Sequence, residues 1–505
     1  MKLFLISAWL LIVSITGIYA QNVNGVILSD IDNLKVVQVW GNHYERGYAQ
    51  GYLLANEILD LYTNYLLPQI GSYMPIAKSI IADGVHIQID NIYVSEAQGV
   101  IDGMADAGID TTGVNYLDIL VANSFLDLEG FPGLKDIDMS NGCSSLMSWG
   151  DATINTPLNG KSVISRHLDW GVYPAIINNQ VMVAHIPSEI DEQPWVMIGF
   201  AGQISALSGV SNSGLGAFQH MLSDFTGQNA QMNQAYEPVW FTIRKSLEIS
   251  DYNNDGFHDC TDIRDAVSSN NQGYADGYII TGVAASVAVE DSLIAIVAEI
   301  APLAPLMEFR DNSYKDSIPG DNLYAANYAI KRNNLQHYCS RYLGAVYGVD
   351  TGINISVQKN WSVMRDYSNS GSGNIQFMQF VPEERYVDIT VYRSGSPAYQ
   401  QDSTRYYLDD LFDVQVSVKN IKKKNGEIKI APNPFNKTAN ISFESFEGEE
   451  CMLILSDLQG RIVKIKGNIK INQVCLDASD YTRGVYSVKV LGNKGTKLET
   501  KIVIN

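Results

Sequence analysis

Cysteine is scarce and odd in number: Cys143, Cys260, Cys339, Cys451 and Cys475 in a chain of 505 residues. Small exported domains that rely on disulfides carry them densely and in even number, so no disulfide framework holds this fold and at least one thiol is left over. Basic residues are also few, 35 against 55 acidic, for a formal charge of −20, which argues against a nucleic-acid partner. The deficit is uneven, because residues 1–414 hold 20 basic and 46 acidic side chains whereas residues 415–505 hold 15 and 9. Such asymmetry marks separate domains. After the first twenty residues no stretch supplies the ~18 uncharged apolar residues a membrane helix needs. H-E-x-x-H, C-x-x-C, G-x-x-x-x-G-K-S/T and G-x-S-x-G are all missing, which removes the usual zinc, nucleotide and serine-hydrolase readings. No organic cofactor is expected.

What is present is the composition of a globular chain, 46% hydrophobic and 18% charged, enough to bury large cores. MKLFLISAWLLIVSITGIYA (1–20) has one positive charge, an uncharged apolar run and a terminal Ala20. This reads as a secretory signal peptide, with an uncleaved anchor as the alternative. YERGYAQGYLLANEILDLYTNYLLPQI (44–70) places Tyr48, Leu53, Ile58 and Leu61 at helical spacing and predicts an amphipathic helix. KSVISRHLDWG, QVMVAHIP, LIAIVAEIA, IQFMQFVP and YVDITVYRSG are short β-branched runs bounded by Gly, Pro or Asn, as strands are. The fold class is α+β. Past Val414 the pattern loosens, and Pro432 and Pro434 mark a boundary before short strands of a small all-β sandwich.

That last segment resembles the type A C-terminal sorting domain of the type IX secretion system. The resemblance rests on Pro432-Asn433-Pro434, DLQGR (457–461), LDASDYTRGVYSVKV (476–490) and a terminal KIVIN. It implies an address read by the type IX machinery, export across the outer membrane to the cell surface or medium, and no chemistry of its own.

The segment NGCSSLMSWGDATINTPLNGKSVISRHLDWG (141–171) carries the nucleophile candidate, Cys143. By residue type alone a lone cysteine is more often a small buried hydrophobe than a catalyst. The surrounding pattern, however, resembles the cysteine N-terminal-nucleophile hydrolases of the isopenicillin-N acyltransferase and carcinine hydrolase type, more distantly the choloylglycine hydrolases. In those families a cysteine opens the catalytic chain and an R-x-x-D-W element follows, here Arg166, Asp169 and Trp170. GNHYERGYAQGYLLANEI (41–58) looks like the glycine-spaced helix of the acyltransferase proregion, Asn327 stands where the family has an asparagine, and Arg341 where the choloylglycine branch has S-R-F/Y. Departures are Ser211 in place of a family asparagine, unless Asn212 fills that position by a one-residue shift, Gln219 and His220 near the choloylglycine oxyanion asparagine, and Tyr328 in place of a histidine.

The resemblance implies a four-layer αββα fold and cleavage of a small-molecule, non-peptide amide through an acyl-cysteine, with self-cleavage between Gly142 and Cys143. That cut gives Cys143 a free α-amino group, whose reference pKa of roughly 7.7–8.0 lets it take the thiol proton near neutral pH. Arg166 is expected to favour the thiolate, Asp169 to hold the amine, Asn327 to donate to the oxyanion, Arg341 to brace the site and His220 to serve as a second oxyanion donor. The chain then divides into a signal peptide (1–20), an N-terminal region (21–142), a catalytic region (143–413), a linker (414–428) and the sorting domain (429–505).

One motif stands apart. DYNNDGFHDCTD (251–262) fits an EF-hand or dockerin-like loop, with Asp251, Asn253, Asp255, the backbone of Phe257, Asp259 and Asp262 offering oxygens and Gly256 making the turn. A structural Ca²⁺ is expected there, held between two predicted helices. The reading from another class is a calcium-stabilised surface binding protein without turnover.

Overall fold

The computed structural model describes residues 23–132, 134, 142–222, 230–285, 293–333, 339–369, 371–414, 428–443, 451–456, 462–469, 473–492 and 497–505. The signal-like segment, the DLQGR motif and nearly all of the linker lie outside them.

Two sheets form the body of residues 25–412. The strands are β1 (Gly25–Ile31), β2 (Leu34–Gly41), β3 (Cys143–Ser148), β4 (Val163–Asp169), β5 (Gln180–Pro187), β6 (Trp195–Phe200), β7 (Ser208–Ser211), β8 (Gly216–Met221), β9 (Tyr278–Val283), β10 (Ala295–Ile300), β11 (Met307–Asp311), β12 (Asn322–Ala325), β13 (Asn374–Val381), β14 (Tyr386–Val391) and β15 (Thr404–Tyr407). One sheet has nine strands in the order β1-β2-β5-β6-β7-β8-β9-β10-β11, the other six in the order β12-β3-β4-β13-β14-β15. Most central strands are buried along their whole length, which is why they read as continuous apolar runs rather than alternating ones.

The period-two alternation sorts these side chains between cores. Met182, Val196 and Ile279 of the larger sheet share one cluster with Met147, Ile164 and Met378 of the smaller. Val181, Val183 and Met197, pointing the other way, join residues of the N-terminal helices such as Ala49, Ile58 and Val100. Leu146, Tyr324 and Phe377, on the opposite face of the smaller sheet, pack with Tyr342, Ala345 and Val349 of the helix Ser340–Val349.

The glycine-spaced segment is a helix, His43–Leu53, opened by a capping box in which the Asn42 side chain accepts from the Glu45 amide and Glu45 accepts from Asn42 N–H. Its glycines are a packing device. A Cβ on Gly47 would meet the Glu96 carbonyl oxygen at 2.0 Å and one on Gly51 the Val100 oxygen at 2.0 Å, so the helix lies backbone to backbone on the helix Asn91–Asp106. The single helix expected over 44–70 is instead broken. Leu54 leaves helical geometry, a second helix runs Ala55–Leu61, and a π-helical turn spans Tyr62–Leu66.

The tail forms two small sheets, with Ile441, Leu453 and Val488 in one core of their own. None of the five cysteines is in a disulfide.

Candidate active site

Cys143 is the first residue of β3 and pairs in register with Leu168 of β4. Alternation turns Cys143 and Ser145 of β3, and Arg166 of β4, toward the larger sheet: Ser145 Oγ meets His220 of β8 at 2.9 Å and Arg166 donates to the Gln219 carbonyl at 2.8 Å. Cys143 is buried, and so is Arg166.

Four groups converge on Gly142 and Cys143. The Gly142 carbonyl accepts from the backbone N–H of Asp169 at 2.8 Å. The Cys143 N–H donates to Asn327 Oδ1 at 2.9 Å. The Cys143 carbonyl accepts from Arg341 Nη1 at 2.7 Å, and Arg341 Nη2 donates to Asn327 Oδ1 at 2.7 Å. Arg166 Nη2 reaches Cys143 Sγ at 3.8 Å, and among the described residues its Nε and Nη1 find no hydrogen-bond partner in a fully buried setting. A buried guanidinium with unused donors is costly unless it faces negative charge, and the sulfur is the group beside it.

Burial pushes the Cys143 thiol above its ordinary pKa, and Asp169 adds to that; Arg166, Arg341 and the Asp169 backbone amide pull the other way by favouring the thiolate. Asp169 is oriented by Asn374 Nδ2, which donates to its Oδ1 at 3.0 Å, and its Oδ2 lies 3.6 Å from Arg341 Nη1. Arg166 and Asp169 thus point to opposite faces of β4, as their odd spacing requires.

The expected residues meet here, but two act through other atoms than anticipated. Asn327 holds the Cys143 nitrogen with its oxygen, while its Nδ2 donates to the Met221 carbonyl at 2.9 Å. His220 Nδ1 faces the Ala326 carbonyl at 3.2 Å and must carry the proton, leaving Nε2 to accept from Ser145. Burial, with Arg166 nearby, holds this imidazole well below its usual pKa. Neutral and engaged at both nitrogens, His220 has no N–H to offer an oxyanion. Sequence reasoning missed Asn374, the Gln219 carbonyl and the Asp169 amide; the first carries no motif and the other two are backbone groups.

Trp170, directly after Asp169, donates its Nε1 to Tyr65 OH at 2.7 Å. It forms part of an apolar pocket with Leu61, Tyr65, Phe125, Ile176 and Trp240. Residues of the N-terminal region and of the region after Cys143 therefore build this pocket jointly.

The loop 251–262 lies between the helices Val239–Glu248 and Cys260–Ser269. Asp251 accepts from the amides of Asp255 and Gly256, and Asp255 from that of Phe257; Asn254 and Gly256 are left-handed, with φ of 60° and 91°. Asp259 and Asp262 form the capping box of the second helix, and their remaining oxygens accept from Leu293 and Tyr252 amides. Both oxygens of Asp251, like those of Asp259 and Asp262, thus accept backbone amides, so the loop's carboxylates are held by the chain itself.

Comparison with known proteins adds the following. Two curated proteins of Dictyostelium discoideum are similar: Protein dcd1B, 25% identical over 247 residues (45% of this chain, 46% of that protein), and Protein dcd1A, 24% identical over 252 residues (44% and 51%). The chain spans about half the length of these curated relatives. Among solved structures, the Caenorhabditis elegans N-acylethanolamine-hydrolyzing acid amidase ortholog is 15% identical, with 52% of this chain and 100% of that chain covered and a TM-score of 0.34. CopC from Methylosinus trichosporium OB3b is 21% identical over 16% of this chain and 91% of its own, with a TM-score of 0.13. Residues 429–505 match the family described as the secretion system C-terminal sorting domain, so this segment is a type IX sorting domain that directs the chain to the cell surface or beyond.

Proposed function

We propose that this is an exported, self-processing amide hydrolase of four-layer αββα architecture with Cys143 as its N-terminal nucleophile. The observation that supports it best is the convergence of Asp169 N–H on the Gly142 carbonyl, Asn327 on the Cys143 N–H, Arg341 on the Cys143 carbonyl and Arg166 on the Cys143 sulfur. In self-cleavage the Cys143 sulfur adds to the Gly142 carbonyl carbon, and the charge that builds on the oxygen meets the Asp169 N–H already bonded to it. The C–N bond then breaks, the Cys143 nitrogen takes the thiol proton, and a Gly142 thioester remains. Water hydrolyses the thioester, leaving a Gly142 carboxylate and a Cys143 with free thiol and amine.

In turnover the neutral α-amine removes the thiol proton, with Asn327 Oδ1 holding the nitrogen and Arg166 favouring the thiolate. The thiolate attacks the amide carbonyl, the amine leaves with the proton, and water releases the acid from the acyl-cysteine. An amine in place of water makes the same site an acyltransferase. The apolar pocket beside Trp170 suits the acyl half of a linear, non-peptide amide. The 251–262 loop takes a structural Ca²⁺ through Asp251, Asn253, Asp255 and the Phe257 carbonyl, with Asp259 and Asp262 at the helix start.

Mass spectrometry of the purified protein tests the reading. The expected result is a cut between Gly142 and Cys143 that is lost in Cys143→Ala, together with hydrolysis of chromogenic acyl amides. An intact wild-type chain without amidase activity would leave a non-catalytic binding protein on the same fold.

A further inference from the structure

Asn327 lies two residues beyond the end of β12, in a turn with no regular secondary structure. A single asparagine that must hold the Cys143 nitrogen at 2.9 Å needs its backbone fixed from both sides. The fixing groups are Glu299 of β10 and Arg310 of β11, both fully buried. Neither belongs to the convergent site described above. Glu299 Oε1 accepts from Ile330 N–H at 2.9 Å and Lys331 N–H at 3.3 Å, and its Oε2 accepts from Arg332 N–H at 2.9 Å. Three consecutive amides just after Asn327 therefore end on one carboxylate. Arg310 Nε donates to the same Glu299 Oε1 at 2.8 Å, while its Nη1 donates to the Tyr324 carbonyl at 2.9 Å, just before Asn327. Asp316, whose Oδ2 lies 3.5 Å from Arg310 Nη1, completes the charge balance.

We propose that the Glu299–Arg310 ion pair is a positioning clamp that brackets Asn327, tying residue 324 to residues 330–332 so that the Asn327 oxygen meets the Cys143 nitrogen. The proposal deepens the reading of Cys143 as the nucleophile and rests on it. Charge-assisted bonds to buried partners are shorter and stronger than neutral ones, and a fully buried carboxylate collecting four donors is a rigid anchor. A plain stability role needs no such bracketing of one turn. Glu299 and Arg310 face the smaller sheet from neighbouring strands of the larger one, so the clamp also carries the Asn327 turn across the gap between sheets.

The test uses Glu299→Gln and Arg310→Lys in the full chain. Gln offers one acceptor oxygen where four donors converge, and Lys cannot reach both Glu299 and the Tyr324 carbonyl. Each variant is expected to cleave itself more slowly and to lose about 10- to 100-fold in kcat, the scale of a misplacement of ~1 Å, with KM unchanged because the apolar pocket is untouched. The pH profile of Cys143 alkylation by iodoacetamide should also move, since the nitrogen beside the sulfur has lost its fixed partner; a merely structural role would leave that profile and KM/kcat partition alone. Glu299→Asp should recover part of the loss. If Glu299→Gln does not fold, Arg310→Lys decides. Folded variants with wild-type cleavage, kcat and alkylation profile overturn the clamp while leaving Cys143 in place, whereas a Cys143→Ala protein with undiminished activity would instead overturn the underlying reading.

Discussion

Gly142 sits where a side chain would press on the residue that organises the site. A Cβ at this position would lie 3.2 Å from Arg341 Nη1 and 3.3 Å from Nη2, tighter than ordinary van der Waals contact between carbon and nitrogen. Arg341 uses those same two nitrogens to hold the Cys143 carbonyl and Asn327 Oδ1. Gly142→Ala should therefore leave the fold intact, because the methyl group needs only a few tenths of an ångström, yet shift the guanidinium that holds the Cys143 carbonyl and Asn327. The expected outcome is at least a tenfold slower appearance of the cleaved chain, on the order of 1.4 kcal/mol in the barrier, followed by mass spectrometry over time. Cleavage at the wild-type rate would show that Arg341 does not set the geometry. Cys143, Arg166 and Asp169 are legible because they fall within one short stretch that resembles a family motif, whereas Asn374 acts from 205 residues beyond Asp169 and Glu299 from 31 before Ile330, with no local pattern to announce them.

The helix His43–Leu53 is tied to the region after Cys143 by charge as well as by glycine packing. His43 Nδ1 lies 2.7 Å from Glu96 and Nε2 2.8 Å from Glu192; Arg46 bonds Glu189 and Glu192; Arg244 bonds Glu96 and Glu248, and Tyr93 donates to Glu248. Burial pulls the His43 pKa down, but the bonds to Glu192 and Glu96 outweigh it and raise the value to about 9. A raised pKa means that the stabilisation is fully present below the unfolded value of about 6.5 and is lost as pH climbs through 9. The stability gap between wild type and His43→Gln should accordingly narrow between pH 6.5 and 9.5, by up to about 3 kcal/mol, measurable by urea unfolding at each pH. A gap independent of pH would mean that the folded imidazole is neutral. The calcium-type loop belongs to this scale too, since it connects two helices. Excess Ca²⁺ is expected to raise Tm, and Asp251→Ala should abolish the rise; no change with metal would leave the Asx turns as the loop's whole purpose.

Across the whole molecule the strands were legible and the breaks between helices were not. QVMVAHIP and IQFMQFVP are β5 and β13 almost residue for residue, because a strand buried on both faces leaves a continuous apolar run. The single helix read over 44–70 fails at Leu54 and at the Tyr62–Leu66 π turn, where Tyr65 turns to meet Trp170; that contact comes from a residue 105 positions away, beyond any helical period. The charge asymmetry located the tail, and the sorting-domain match at 429–505 accounts for it. Among the described residues, the hydrogen bonds to the Gly142–Cys143 unit and to its clamp come from residues 142–413. The tail touches the body elsewhere, where Met452 and Ile454 join the cluster holding Leu411 and Phe412. Removing residues 415–505 should thus lower Tm slightly by exposing that apolar patch, abolish delivery to the medium, and leave self-cleavage and kcat within about twofold of wild type, a change of roughly 0.4 kcal/mol. Cell fractionation reads delivery, mass spectrometry of the retained protein reads the cut, and thermal unfolding and an amidase assay of the purified protein read Tm and kcat. A folded, retained chain that stays uncut would show instead that cleavage depends on export, making Cys143 a nucleophile armed only outside the cell.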